Sequence, residues 1–192
     1  MKRIIIGGLL VLSGTALAGD YKPYVMLDSS SEKDSLAYEY IGANVTVGVK
    51  GPEKVEYSVK AGVSLKNTSS SDTISNNIEV KVKKSFDVGM FFLPYVGLRL
   101  GEKLNYNTTH FTHYAVDAGA KIPLSNGLAL DVGYRYRNAF DSSQNYRSNR
   151  YHATLLYDID QQNTVGLRYA SSFANSDTED RDSWRVDYQH NY

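Results

Sequence analysis

Trp184-Arg185-Val186-Asp187-Tyr188-Gln189-His190-Asn191-Tyr192 closes the sequence. Successive side chains of a strand point to opposite sides. Trp184, Val186, Tyr188, His190 and Tyr192 therefore share an aromatic, apolar face, and Arg185, Asp187, Gln189 and Asn191 share a polar one. The stretch predicts a strand that separates an apolar medium from a polar one.

The opposite end carries a different signal. Lys2 and Arg3 precede an apolar run, Ile4 to Leu12, and Ala16-Leu17-Ala18 is a small-x-small cleavage site. The run is too short to span a bilayer. Residues 1–18 read as a secretory signal peptide, which leaves one domain over 19–192 with two more acids than bases. No cysteine is present, which excludes a disulfide framework and lipidation at cysteine. No other run approaches the roughly 20 apolar residues of a transmembrane helix. A barrel needs only alternate residues to be apolar, so a mean hydropathy of −0.40 is compatible with insertion. Sixteen tyrosines suit a bilayer interface, where the ring sits in apolar surroundings and the hydroxyl stays wet.

A period-two template predicts ten strands, at about 20–28, 36–50, 54–66, 77–86, 90–103, 110–123, 128–139, 149–158, 164–173 and 183–192. Eight strands is the alternative count. Connections after even strands are expected to be short (Gly51 to Glu53, Asp87 to Gly89, Leu124 to Gly127, Ile159 to Asn163). Those after odd strands are expected to be longer and polar (29–35, 67–76, 104–109, 140–148, 174–182). Pro23, Pro52, Pro94 and Pro123 fall near the short-turn rim, where a missing ladder donor does least harm.

The terminal strand, the signal peptide and the alternation of turns and loops together resemble small bacterial outer-membrane β-barrels, porin-like or of the OmpA/OmpX type. The resemblance implies an all-β, antiparallel up-and-down transmembrane barrel in the bacterial outer membrane, with both termini periplasmic. It implies outer-membrane lipid and lipopolysaccharide as surroundings, and the barrel-assembly machinery and periplasmic chaperones as partners in biogenesis. Trp184, Val186, Tyr188 and Tyr192 would be the assembly signal. No nucleic-acid partner and no cofactor or metal is implied.

Strand parity assigns inward Lys22, Lys50, Lys60, Lys66, Lys81, Lys83, Arg99, Lys103, Lys121, Arg135, Arg137, Arg150, Arg168 and Arg185. It also assigns inward Asp28, Glu56, Glu79, Asp117, Asp131, Asp158 and Asp187. The surplus is basic, and the balancing acids (Glu32, Asp34, Asp72, Asp141, Asp177, Glu179, Asp180, Asp182) are placed in the loops. A low-dielectric channel focuses the field of such a surplus. A three-residue loop, Ser125-Asn126-Gly127, sets Leu124 opposite Leu128, Lys121 opposite Asp131 and Asp117 opposite Arg135. These acids, with Asp187, are the expected ion-pair partners of the lumen.

Two functions follow as expectations. One is a narrow porin-like channel favouring small anions, with Lys60, Lys81, Lys83, Arg99, Lys121, Arg135, Arg137, Arg168 and Arg185 as its basic lining. The chain looks somewhat like the Arg/Lys-lined porins for acidic oligosaccharides, although those have twelve strands. The other is a non-conducting barrel that acts through its loops. Catalysis is not expected. Omptin-type proteases have strands longer than this chain provides. His110 and His113 point to opposite faces, and Asp158, the acid on His152's own strand and face, lies roughly 20 Å away. Gly42, Gly48, Gly62, Gly97, Gly119, Gly133 and Gly166 are read as inward residues that relieve crowding.

Overall fold

A computed structural model describes residues 21–34, 39–67, 72–105, 110–144, 146–174 and 180–192. The predicted signal peptide lies outside them. Ten antiparallel strands run in sequence order around the wall: β1 (Lys22–Asp34), β2 (Glu39–Lys50), β3 (Val55–Asn67), β4 (Asp72–Ser85), β5 (Leu93–Asn105), β6 (Phe111–Ser125), β7 (Leu128–Ala139), β8 (Ser148–Asp158), β9 (Asn163–Ala174) and β10 (Arg181–Asn191). Each pairs with its neighbour, and β1 pairs with β10, so the sheet closes into a barrel. The count is ten, not eight. Closure removes both sheet edges, so every ladder group has a partner inside the wall, as hydrocarbon demands.

The exposure pattern is the inverse of a soluble protein's. Leu98, Ile41 and Val186 are 65%, 63% and 58% exposed on the outer wall. Asp28, Glu56, Glu79, Asp117 and Asp187 are buried inside it. The parity deduced from the sequence holds along the strand middles, where outward positions carry the apolar band and inward positions the charge; outward charges such as Lys84 and Glu102 lie toward strand ends. Strands of 11 to 15 residues meet or exceed the roughly 9–11 that a tilted strand needs to cross the hydrocarbon.

Several strands continue past their expected ends. Residues 29–34 belong to β1 and residues 72–76 to β4, where loops were expected. Apart from Ile74 these residues are polar, but each has a ladder partner on a neighbouring strand, as Ser30 opposite Gly42, Asp34 opposite Arg181 and Asn76 opposite Val63. Beyond the apolar band a ladder persists without an apolar face. Conversely, β5 starts at Leu93, so Phe86 to Phe92 forms a longer connection on the rim expected to carry only short turns. In the β6–β7 hairpin the expected register holds from Lys121–Asp131 through Asp117–Arg135. At its tip Ser125, not Leu124, faces Leu128, because a bulge lies between Pro123 and Ser125. Gly127 takes φ 77°, a conformation that glycine adopts without a Cβ penalty. The described chain begins and ends at this short-turn rim, where the Tyr192 amide donates to the Pro23 carbonyl at 2.9 Å.

Candidate functional site: a basic vestibule above an ion-paired layer

Inward side chains divide the lumen into two levels. The level toward the short-turn rim and the barrel middle is an ion-paired layer. Glu56 on β3 accepts Lys81 and Lys83 of β4 at 2.5 and 2.7 Å, and the Tyr24 hydroxyl at 2.9 Å. Asp117 on β6 binds Arg99 of β5 and, at 2.7 Å, Arg135 of β7. Glu79 on β4 takes the other side of Arg99 at 2.5 Å and Arg137 at 3.7 Å. Each acid thus meets two cations from other strands, the arrangement that offsets the cost of stripping water from both charges.

Asp131 departs from its expected pairing. Lys121 faces it across the ladder, yet its carboxylate is bound by the Tyr95 hydroxyl and by His152 Nε2, each at 3.0 Å. His152 therefore does have an acid within reach. It comes diagonally from β7, and a search along His152's own strand misses it. Tyr95 reaches Asp131 by lying across two glycines: a Cβ on Gly119 or Gly133 would sit 2.5 or 2.7 Å from its hydroxyl. Gly48 makes the same room for Tyr24, whose ring would meet an added Cβ at 2.5 Å. These inward glycines are the counterparts of inward tyrosines.

Above this layer, toward the loop rim, lies a cavity of about 590 Å³. Ten basic residues line it, against three acids, Asp28, Glu32 and Glu79. Among the expected lining residues, Lys60, Arg135, Arg137, Arg168 and Arg185 face this vestibule. Lys81, Lys83 and Arg99 instead belong to the layer beneath. Asp187 lies between the levels and accepts Arg185 at 3.2 Å. Glu32 was expected in a loop. It sits inward on β1, 3.6 Å from Arg150, because the even-numbered inward parity of Asp28 simply continues through Ser30 to Glu32. Tyr146 was not anticipated: it accepts a hydrogen bond at 3.1 Å from Arg137 and packs on Phe111, ring centroids 4.4 Å apart. Nothing in a loop's sequence marks such a side chain as folded into the lumen.

Trp184, Val186, Tyr188 and Tyr192 lie on the outer face of β10 or just beyond it, 41–68% exposed. Tyr169 packs on Trp184 and His190 on Tyr192, with centroids 5.1 and 4.6 Å apart. They form part of a lipid-facing aromatic surface and stand apart from the lumen.

No known family model matches the sequence, and no curated protein matches it. Solved structures do. An outer-membrane channel from Pseudomonas putida F1 aligns with a TM-score of 0.58 at 6% identity, covering 91% of this chain and 96% of that one. Neisserial surface protein A aligns at 0.45 and 11% identity, covering 90% and 97%. A KdgM porin in complex with disordered oligogalacturonate aligns at 0.42 and 13%, covering 87% and 99%. At such identities the likeness is one of fold. Together with the lipid-suited outer wall it gives the fold class: a closed antiparallel β-barrel of the kind seen in the outer-membrane channel.

Proposed function

We propose that this barrel draws small anions into its vestibule from the loop rim and conducts them slowly, as a narrow anion-preferring channel. The observation that carries the reading is the ten-to-three excess of basic over acidic residues around the cavity. A wall of one sign in a low-dielectric setting raises the local concentration of the opposite ion. Beneath the vestibule Tyr24, Glu56 and Tyr95 are buried inside the barrel and take up part of its bore. That filling favours a second reading, in which the barrel captures anions at its outer mouth without conducting them. In either case the loop rim would face outward and the termini the periplasm. No catalytic role is assigned: the Tyr95–Asp131–His152 contacts satisfy buried polar atoms within the layer.

Planar-bilayer recording of the refolded protein in a KCl gradient tests the proposal. A small conductance with a reversal potential of anion-selective sign supports the channel. Silence in the bilayer, with the barrel shown to be folded by its heat-modifiable gel shift, leaves the capture reading. Cation selectivity would overturn both.

A further inference from the structure

The vestibule's charge is not spread evenly by residue type. From residue 22 to 121 the chain has eleven lysines and one arginine, Arg99; from 122 to 192 it has seven arginines and no lysine. The wall formed by β7–β10 is therefore basic through arginine alone. Within it, Arg168 of β9 stands directly opposite Arg185 of β10 in the ladder, and Arg135 of β7 directly opposite Arg150 of β8. Like charges directly opposite each other are unfavourable in a sheet. Two such pairs in one wall ask for a counter-charge.

The Arg135–Arg150 pair has protein acids at hand, Asp117 at 2.7 Å and Glu32 at 3.6 Å. The Arg168–Arg185 pair is less well served. Arg168 donates through Nε to the Thr154 hydroxyl at 2.7 Å, which fixes its plane and leaves both terminal nitrogens without a described partner. Arg185 contacts Asp187 at 3.2 Å and Asp28 at 3.9 Å, yet its Nε is buried without an acceptor. Lys60 lines the same cavity. Among the described residues its ammonium makes no hydrogen bond or close ion pair.

We propose that Arg168, Arg185 and Lys60 form a phosphoryl-binding site on the vestibule wall, a refinement that rests on the basic-vestibule reading. A phosphoryl group carries up to two negative charges and several acceptor oxygens, so one group can bridge two opposed guanidinium forks. A carboxylate has one charge and two oxygens, enough for one fork. A chloride ion uses neither the plane nor the fork. The ligand class is thus a phosphate or a solute bearing a phosphate monoester, reaching the wall from the loop rim.

Inorganic phosphate is the probe, titrated into the refolded barrel in detergent and read by 31P line broadening, with acetate and chloride as competitors. Saturable broadening that an excess of acetate or chloride does not displace is expected. Arg168→Lys and Arg185→Lys keep the charge but remove the fork. Each is expected to weaken phosphate binding by about tenfold, the effect of losing one charge-assisted hydrogen bond. Lys60→Gln should weaken binding in the same titration. Equal competition by acetate, or unchanged affinity in both lysine variants, overturns the site while leaving the anion reading standing. Loss of anion preference in the unaltered protein is a separate failure, that of the underlying function.

Discussion

Asp117→Asn removes one negative charge from an enclosed part of the lumen. The Asp117 carboxylate, 6% exposed, binds Arg135 at 2.7 Å and also Arg99, whose side chains are 12% and 14% exposed. After the change both guanidiniums depend on Glu79, which already accepts Arg99 at 2.5 Å and lies 3.7 Å from Arg137. Breaking a buried pair by removing one partner costs roughly 3–5 kcal/mol. Because Glu79 still neutralises part of the charge, the lower end applies, about 3 kcal/mol, or about a hundredfold in the folding equilibrium. Urea titration of the refolded barrel reads this, with Trp184, the one tryptophan, as a fluorescent reporter on the lipid face. The double variant Asp117→Asn/Arg135→Met should lose less than the sum of its parts, since each partner's absence removes the other's penalty. A loss below about 1 kcal/mol for Asp117→Asn, typical of a solvated surface pair, would show that water fills this layer and would refute the ion-paired description.

Four further outcomes are expected. Tyr95→Phe withdraws one hydrogen bond from Asp131 and should destabilise the barrel by roughly 1.5–3 kcal/mol in the same titration, the range for bonds to a charged group. Gly48→Val drives a side chain into the Tyr24 ring and should lower folding yield, scored by the heat-modifiable gel shift. At the short-turn rim, hydrogen bonds from Lys54 at 2.8 Å and the Gly89 amide hold the Asp87 carboxyl below its usual range. This turn contact is complete above the ordinary carboxylate range and is lost as pH falls through the lowered value; NMR titration of Lys54→Gln should show Asp87 moving back up. Tyr192→Asp should reduce the protein in outer-membrane fractions while leaving export intact, as expected if the aromatic face of β10 guides assembly.

Much of the fold was legible because a lipid-facing barrel writes its geometry at period two. The parity of β3, with Val55, Tyr57 and Val59 out and Glu56, Ser58 and Lys60 in, follows from alternation alone. The Asp117–Arg135 pair followed from a register set by apolar positions. What escaped is what alternation does not encode. Strand ends beyond the bilayer carry no apolar mark, which is why 29–34 and 72–76 read as loops and Glu32 was placed outside. Diagonal contacts depend on how far a side chain reaches, so Asp131 takes Tyr95 and His152 in preference to the facing Lys121. The bulge near Leu124 shifts one residue without disturbing any charge pair, and only the backbone records it. The division into vestibule and layer depends on which inward side chains lie flat across glycines, visible as Gly48 beneath Tyr24 and Gly119 and Gly133 beneath Tyr95.

The central claim is that excess basic charge on the vestibule wall selects anions. Its most direct test compares reversal potentials of the refolded protein and an Arg135→Glu/Arg168→Glu variant in the same KCl gradient, with the gel shift establishing that both are folded. The account predicts an anion-selective potential for the unaltered barrel that falls toward zero or changes sign in the variant. An unchanged potential in the folded variant, or a cation-selective one in the unaltered barrel, would contradict it.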